Sequence, residues 1–379
     1  MKKLQNKQSP ERWTTPFSGP RADAQTSTTP KLFVKLEPYM QRGDLWGTLA
    51  FLNKRLAAGE PDFDALCYCF DILIALHDYS GIAVMLENAS KIYFEPEQMA
   101  ALAGYKGLLE GDASIAIEAF RIALALNPAL EVFTQLAMAS MPGPYYSDHL
   151  HHLHDLLSPC TYLEIGIYTG NTLRLAGAET HVIGIDPFPR FSGKCPPNIN
   201  IYSVPSNEFF NEIAPTALRE FAPISLAFID GLHLFEQVLL DFIHVEAYCD
   251  PDGVVVLHDT LPVAELPTAR DRSSSYWCGD VWKIVPCLEY FRPDLHIFTL
   301  PTFPSGLTII TGLDPTNLIL RESLDQAVQQ FANRAFSDCA DRLASVKSTV
   351  KNELLSTTRV INQIMKPKKS VDHDSPSLG

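Results

Sequence analysis

The stretch YLEIGIYTGNTLRLAGAETHVIGIDP, residues 162–187, decides the fold. An apolar run ends at Gly166, a polar loop follows, and a second apolar run closes on Asp186. Five more runs of this kind lie downstream, at 198–204, 224–230, 253–259, 295–300 and 306–311. Segments with helical spacing, at 170–178, 206–221, 235–249 and 280–291, separate most of them. Strands that are apolar on both faces belong in a mostly parallel sheet covered by helices on both sides. The pattern therefore predicts an α/β fold with a doubly wound, seven-stranded, Rossmann-like sheet.

Upstream the texture differs. Residues 1–30 are rich in Ser, Thr, Pro and Gln without an apolar period, as in a disordered arm. From 31 to 140 the pattern is all-helical, and Asp44, Asp78 and Asp112 recur 34 residues apart, the period of stacked helix–turn–helix units. The best copy, residues 99–130, resembles a tetratricopeptide repeat; an irregular helical bundle is the alternative reading. MPGP at 141–144 marks a boundary, so the sheet domain is placed at 141–316. A C-terminal helical segment is expected over 317–366, with Phe336, Cys339, Leu343, Val346 and Val350 as an apolar stripe. That stripe suits either a coiled-coil arm of a homo-oligomer or a helix folded back on the protein. Residues 367–379 read as a disordered tail.

The 379-residue chain carries 44 acidic against 30 basic side chains, a formal net charge of −14. That sign argues against nucleic acid as a partner and against a polybasic membrane-surface protein. Nearly all the excess falls between 141 and 319, which hold 21 acidic and 8 basic residues, so a neutral or cationic small-molecule acceptor is expected there. No run approaches the roughly 18 apolar residues of a membrane span. The basic N-terminus has no apolar core after it, and the eight cysteines show no metal-finger spacing. Both features suit a reduced, cytoplasmic protein.

Ligands of doubly wound sheets bind at the carboxyl ends of the strands, and four strand ends here carry chemistry. Gly166 lets the backbone turn tightly, and Gly170 is read as opening a helix N-terminus with free N–H donors. Asp186 offers a carboxylate for ribose hydroxyls. Asp230 and His233 follow one strand and Asp259 the next; if those strands are neighbours, their ends lie about 5 Å apart. Two carboxylates that close call for a cation between them, and His233 can act there as a general base. The alternative is that these residues cap backbone amides at strand ends. The aperiodic loop 261–280 offers Arg270, Arg272, Tyr276 and Trp277 as acceptor contacts, and Asp280 of GDVWK (279–283) as a cap for the helix that follows it.

Taken in order and spacing, YLEIGIYTGNTL, IGIDP, LAFIDGLHLFEQVLLDF and GVVVLHDT resemble class I S-adenosylmethionine-dependent methyltransferases. Within that class they resemble the branch of the macrolide-sugar O-methyltransferases and the proteins named cephalosporin hydroxylases. The likeness covers about 145–312, and DGxH followed by HD is its most specific part. It implies S-adenosylmethionine held by Glu164, Gly166, Gly170, Asp186 and Asp230, a divalent metal, Mg2+, on Asp230 and Asp259, and His233 as catalytic base. One departure stands out: the middle glycine of the family's first loop is Tyr168 here, which narrows the loop.

The expected function is metal-assisted O-methylation of a hydroxylated small molecule or saccharide. A scaffold of different class is the alternative, with the helical repeats binding a protein partner and the methyltransferase fold degenerate. A nicotinamide-dependent dehydrogenase fits poorly because the first loop lacks GxGxxG.

Overall fold

The computed structural model describes residues 44–57, 63–90, 94–191, 195–219, 221, 223–272, 274–339 and 349–364. The arm expected at 1–30 and the tail at 367–379 lie outside them.

Six helices open the described chain: α1 (Leu45–Ala57), α2 (Phe63–Ala75), α3 (Tyr79–Ala89), α4 (Pro96–Glu110), α5 (Ala113–Leu126) and α6 (Phe133–Ser140). The three aspartates spaced by 34 residues stand directly before α1, α3 and α5. Each accepts a hydrogen bond from a first-turn amide: Asp44 from Gly47 at 2.8 Å, Asp78 from Gly81 at 2.9 Å and Asp112 from Ile115 at 3.0 Å. Such caps stabilise a helix by about 1 kcal/mol each, and here the sequence period marks the start of every second helix. Between α4 and α5 the backbones approach closely, since a Cβ at Gly107 would lie 2.8 Å from the Ala116 nitrogen. Phe70, Tyr105 and Phe120 fill the buried core beside that crossing.

Seven strands form one sheet: β1 (Thr161–Ile165), β2 (His181–Ile185), β3 (Ile199–Tyr202), β4 (Ile224–Ile229), β5 (Cys249–His258), β6 (His296–Leu300) and β7 (Leu307–Thr311). Their order is β3-β2-β1-β4-β5-β7-β6. The first five run parallel, and β7 lies antiparallel between β5 and β6. Alternation along the strands divides the core into two layers. On one face Leu163, Ile165, Ala227, Ile229, Val255 and Leu257 pack under α8 (Phe235–Glu246), α9 (Ile284–Phe291) and α10 (Leu324–Phe331). On the other, Tyr162, Leu226, Phe228, Val254 and Val256 meet α7 (Tyr146–Leu157) and the C-terminal α11 (Leu354–Ile364). No helix among the described residues is long and apolar enough to cross a membrane.

Two expected helices differ. Between Gly170 and Gly177 the chain has too few residues for two turns, and only a 3-10 turn forms, Leu173–Leu175. Among the described residues the C-terminal segment is not one long helix: short helices Ile319–Glu322 and α10, a 3-10 turn Phe336–Cys339 and α11 are seen there. Lys283 takes the carbonyl of Ala332 at the end of α10, which closes that helix. Leu343 and Val346 of the stripe lie outside the described residues. Val350 donates its N–H to Thr299, and α11 folds back on α7 through His149–Thr357 and His152–Thr358 contacts of 2.8 Å.

A buried ion pair supports the α8 end of the sheet. Arg292, fully buried, meets Glu246 at 2.7 Å, and Glu246 also accepts the Asp314 N–H. Arg292→Met would leave Glu246 charged and unpaired in the interior. Its denaturant-unfolding free energy should fall by about 3–5 kcal/mol, and an unchanged midpoint would refute a supporting role for the pair.

Candidate active site

The chain runs outward from β1 to β2 and β3, then returns to place β4 on the other side of β1. The gap between β1 and β4 is thus the topological switch point, where doubly wound sheets bind ligands. At this gap the two strand ends touch. The Asp230 N–H donates to the Ile165 carbonyl at 2.9 Å, and Gly166 has φ +88°. A Cβ at Gly166 would lie 1.9 Å from the Asp230 carbonyl oxygen, so only glycine fits.

β4 and β5 are neighbours, which brings Asp230 and Asp259 to one point. Donor atoms of Asp230, His233 and Asp259 all lie within 4.8 Å of one another. His233 bridges the carboxylates, with Nε2 3.1 Å from Asp230 Oδ1 and Nδ1 3.1 Å from Asp259 Oδ2. His258 joins them: its Nδ1 is 3.3 Å from Asp230 and 3.5 Å from Asp259. Ser305 donates its hydroxyl to Asp259 Oδ1. His233 and Asp259 both have left-handed backbones, φ +60° and +59°. Non-glycine residues reach that region at a cost of about 1–3 kcal/mol, a strain that gathers at functional sites.

Charge in this cluster is shared between the aspartates and the rings. Burial works against a charged His258, yet Asp259 and Asp230 push its pKa up to about 10. Burial likewise opposes the charge on Asp230, but His258 and His233 hold its carboxyl well below the usual carboxylate range. Tyr146 of α7 closes the cluster from below, its ring 4.5 Å from that of His258. Trp277 closes it from above, stacked on His233 at 5.1 Å and 17°.

The residues read from the first loop surround this cluster with their own bonds. Asp186 accepts the Tyr168 N–H at 2.9 Å and the Phe188 N–H at 2.8 Å, which ties the loop to the end of β2. Tyr168 has φ +41°, so a tyrosine holds the left-handed turn where the family loop has glycine. Gly170 lies against the Phe191 ring and leads into the 3-10 turn; an α-helix N-terminus does not form there. Glu164 is fully buried between the Tyr162 hydroxyl at 2.7 Å and the Thr172 hydroxyl at 2.6 Å, and burial pushes its pKa up to about 8.

In the loop 261–280, Trp277 faces the site while Tyr276 turns into the core and donates to the Pro304 carbonyl at 2.7 Å. Arg270 pairs with Glu236 at 3.0 Å and Asp280 at 2.8 Å, and Arg272 lies over the Trp277 ring at 5.9 Å. Asp280 caps a different helix from the one expected. It accepts the Phe235 N–H at 2.7 Å, at the start of α8, and makes no such bond to the turn that follows it. A Cβ at Gly279 would lie 1.9 Å from the His233 carbonyl oxygen, so GDVWK serves the turn that carries His233.

Residues 163–260, from β1 to just beyond β5, match the family model described as methyltransferase domain. The stretch that matches a methyltransferase domain thus holds the five parallel strands and the switch point between β1 and β4. No curated protein is significantly similar to the chain. Among solved structures, the chain is similar to the O-methyltransferase TomG from Streptomyces achromogenes in complex with SAM, at 17% identity over 49% of this chain and 89% of that one, with TM-score 0.35. It is also similar to an O-methyltransferase from Bacillus cereus in complex with SAH, at 13% identity over 52% and 99%, TM-score 0.35. For the MycE methyltransferase of the mycinamycin biosynthetic pathway, in complex with Mg and SAH, the values are 18% identity, 59% and 65%, and TM-score 0.32.

At this site the sequence reading missed His258, Tyr146 and Ser305. His258 was legible only as half of the HD pair. Alternation puts neighbouring strand residues on opposite faces, and the left-handed Asp259 brings both to one point.

Glu164 yields a pH test. Its carboxyl rises from an ordinary value of 4.5 to about 8, so the folded state holds a proton that the unfolded state releases in between. Stability from this group is complete below 4.5 and is lost as pH rises through about 8. Glu164→Gln, which cannot ionise, should gain on the unmutated apoprotein in urea melts as pH rises across that window. Parallel pH profiles would contradict the assignment.

Proposed function

We propose that the chain transfers the methyl group of S-adenosylmethionine to a hydroxyl of a small molecule or saccharide, assisted by a divalent metal such as Mg2+. One observation carries this reading: Asp230, His233 and Asp259 converge at the carboxyl edge of a methyltransferase sheet. The donor set fits a metal. Asp259 Oδ2 is buried and accepts no hydrogen bond, although His233 Nδ1 lies 3.1 Å away, and the oxygen is therefore open to a cation. Asp230 and Asp259 would hold the ion. When bound, it would supply positive charge that lowers the pKa of a nearby hydroxyl.

For the cofactor we assign Asp186 to the ribose hydroxyls, with Gly166 and Gly170 shaping the loop beside it. Glu164 holds that loop through Thr172, and Asp230 borders the cofactor from the β4 side. Each Asp186 oxygen accepts one backbone bond and keeps capacity for another. His233 is the base. Its Nδ1 has the Trp277 carbonyl at 3.3 Å as an acceptor, and Nε2 meets Asp230 Oδ1 at 3.1 Å. Nε2 would exchange that partner for the acceptor hydroxyl and take its proton as the oxygen attacks the methyl carbon in line and S-adenosylhomocysteine leaves.

The scaffold reading is not favoured, because a degenerate domain has no need for two strained backbones that aim His233 and Asp259 at Asp230. We also propose that the α1–α6 pairs are tetratricopeptide-like units able to take a protein partner. Cys67, Cys69, Cys160, Cys195, Cys249, Cys278 and Cys287 form no disulfide, which supports a cytoplasmic setting.

Calorimetry with S-adenosylmethionine should show binding that weakens in Asp186→Ala; no binding by the unmutated protein would sink the proposal. In a methyl-transfer screen over sugars, glycans and phenols, His233→Ala should lower turnover by about 10²–10⁴-fold with cofactor affinity retained. Asp230→Asn, Asp259→Asn and chelation should each abolish transfer, and full activity in chelator would remove the metal from the scheme.

A further inference from the structure

The loop 261–280 carries Trp277 over the site, yet among its described residues regular structure amounts to one 3-10 turn, Leu266–Thr268. Backbone bonds tie Leu261 to Ser305 and Cys278 and Gly279 to Pro267, and side-chain anchors supplement them. Within the sheet domain these anchors include Tyr276 to Pro304, the Trp277 indole N–H to the Ala269 carbonyl at 2.6 Å, and Arg270 to Glu236 and Asp280. A further anchor comes from the helical domain. Glu131, between α5 and α6, accepts the Ser275 N–H at 3.2 Å and the Ser275 hydroxyl at 2.6 Å. Ser275 is two residues from Trp277, whose ring stacks on His233 and whose carbonyl lies 3.3 Å from His233 Nδ1.

Glu131 is itself held in place. Its neighbours Val132 and Phe133 are buried, and Phe133 stacks on Tyr276 with ring centroids 6.3 Å apart. Phe133, Ala137, Tyr276, Cys278 and Phe303 form one apolar cluster drawn from both domains. A carboxylate that accepts both an N–H and an O–H from one residue fixes that residue's position and its backbone orientation together.

We propose that Glu131 is a positioning residue of the active site: the helical domain, through Ser275, holds Trp277 against His233 and so completes the wall that an acceptor meets. This rests on the reading of His233 as base. The same arrangement gives the helical domain a role in catalysis without any added partner.

The test uses the full chain labelled with 13C at histidine Cε1. The His233 proton, identified by its loss in His233→Ala, lies against the Trp277 ring and should show a ring-current shift that disappears in Trp277→Ala. Glu131→Gln should move this resonance toward its Trp277→Ala position, and Ser275→Ala should move it the same way, with melting temperatures close to the unmutated protein. In the methyl-transfer screen, turnover in Glu131→Gln should fall by up to about 100-fold while calorimetric S-adenosylmethionine affinity holds. A His233 resonance unmoved in both variants overturns the proposal. Failure of the unmutated protein to bind S-adenosylmethionine would defeat the functional reading alone, since the ring-current measurement needs neither cofactor nor acceptor.

Discussion

The close approach of Gly166 and Asp230 is the constraint on which the rest of the site depends. With the Asp230 carbonyl standing where a side chain at 166 would be, the ends of β1 and β4 meet without a gap. The Asp230 carboxylate then projects at the switch point, 3.1 Å from His233 and 3.3 Å from His258. From there the order of the sheet supplies Asp259 from the adjacent strand. Three non-glycine residues with left-handed backbones, Tyr168, His233 and Asp259, surround this meeting point at the ends of β1, β4 and β5. Strain of that kind persists where the surroundings over-determine it, and here the hydrogen bonds of Asp186, Asp280 and Ser305 do so.

Electrostatics follows from the same geometry. The domain is acidic overall, and its two central carboxylates would repel one another in a buried setting. Two imidazoles are wedged between them, and the charge on His258 meets both carboxylates at short range although the region around it is strongly negative. A cation entering this cluster competes with those rings for the carboxylate oxygens. His233 lies at the edge of that competition, braced by Trp277 on one ring face and free to trade one partner for another.

Much of the fold was legible because strand and helix periods are local. Seven apolar runs gave seven strands, and Asp44, Asp78 and Asp112 marked helix starts because an N-cap bonds only within its own first turn. Long-range choices were not legible. Asp280 looked like a cap for the turn beside it, but its carboxylate reaches the start of α8, 45 positions back in sequence. The helix expected after β1 shrank to a 3-10 turn because Thr172 gives its hydroxyl to Glu164 and the flanking glycines shorten the segment. The C-terminal stripe was periodic enough for a long helix, yet Lys283 and Thr299, both far away in sequence, take the backbone groups that such a helix would have used.

By itself the sequence determined the sheet, the two-part organisation and the four chemically marked strand ends, because each depends on residue type within a few positions. Only the tertiary structure decided which of those ends meet. The order β3-β2-β1-β4-β5 put Asp230 beside both Gly166 and Asp259, the turn at Asp259 brought His258 to the same point, and packing across the two domains set Glu131 on the loop that holds Trp277. Contacts of this sort depend on how elements distant in the chain settle against one another, a property that no local period encodes.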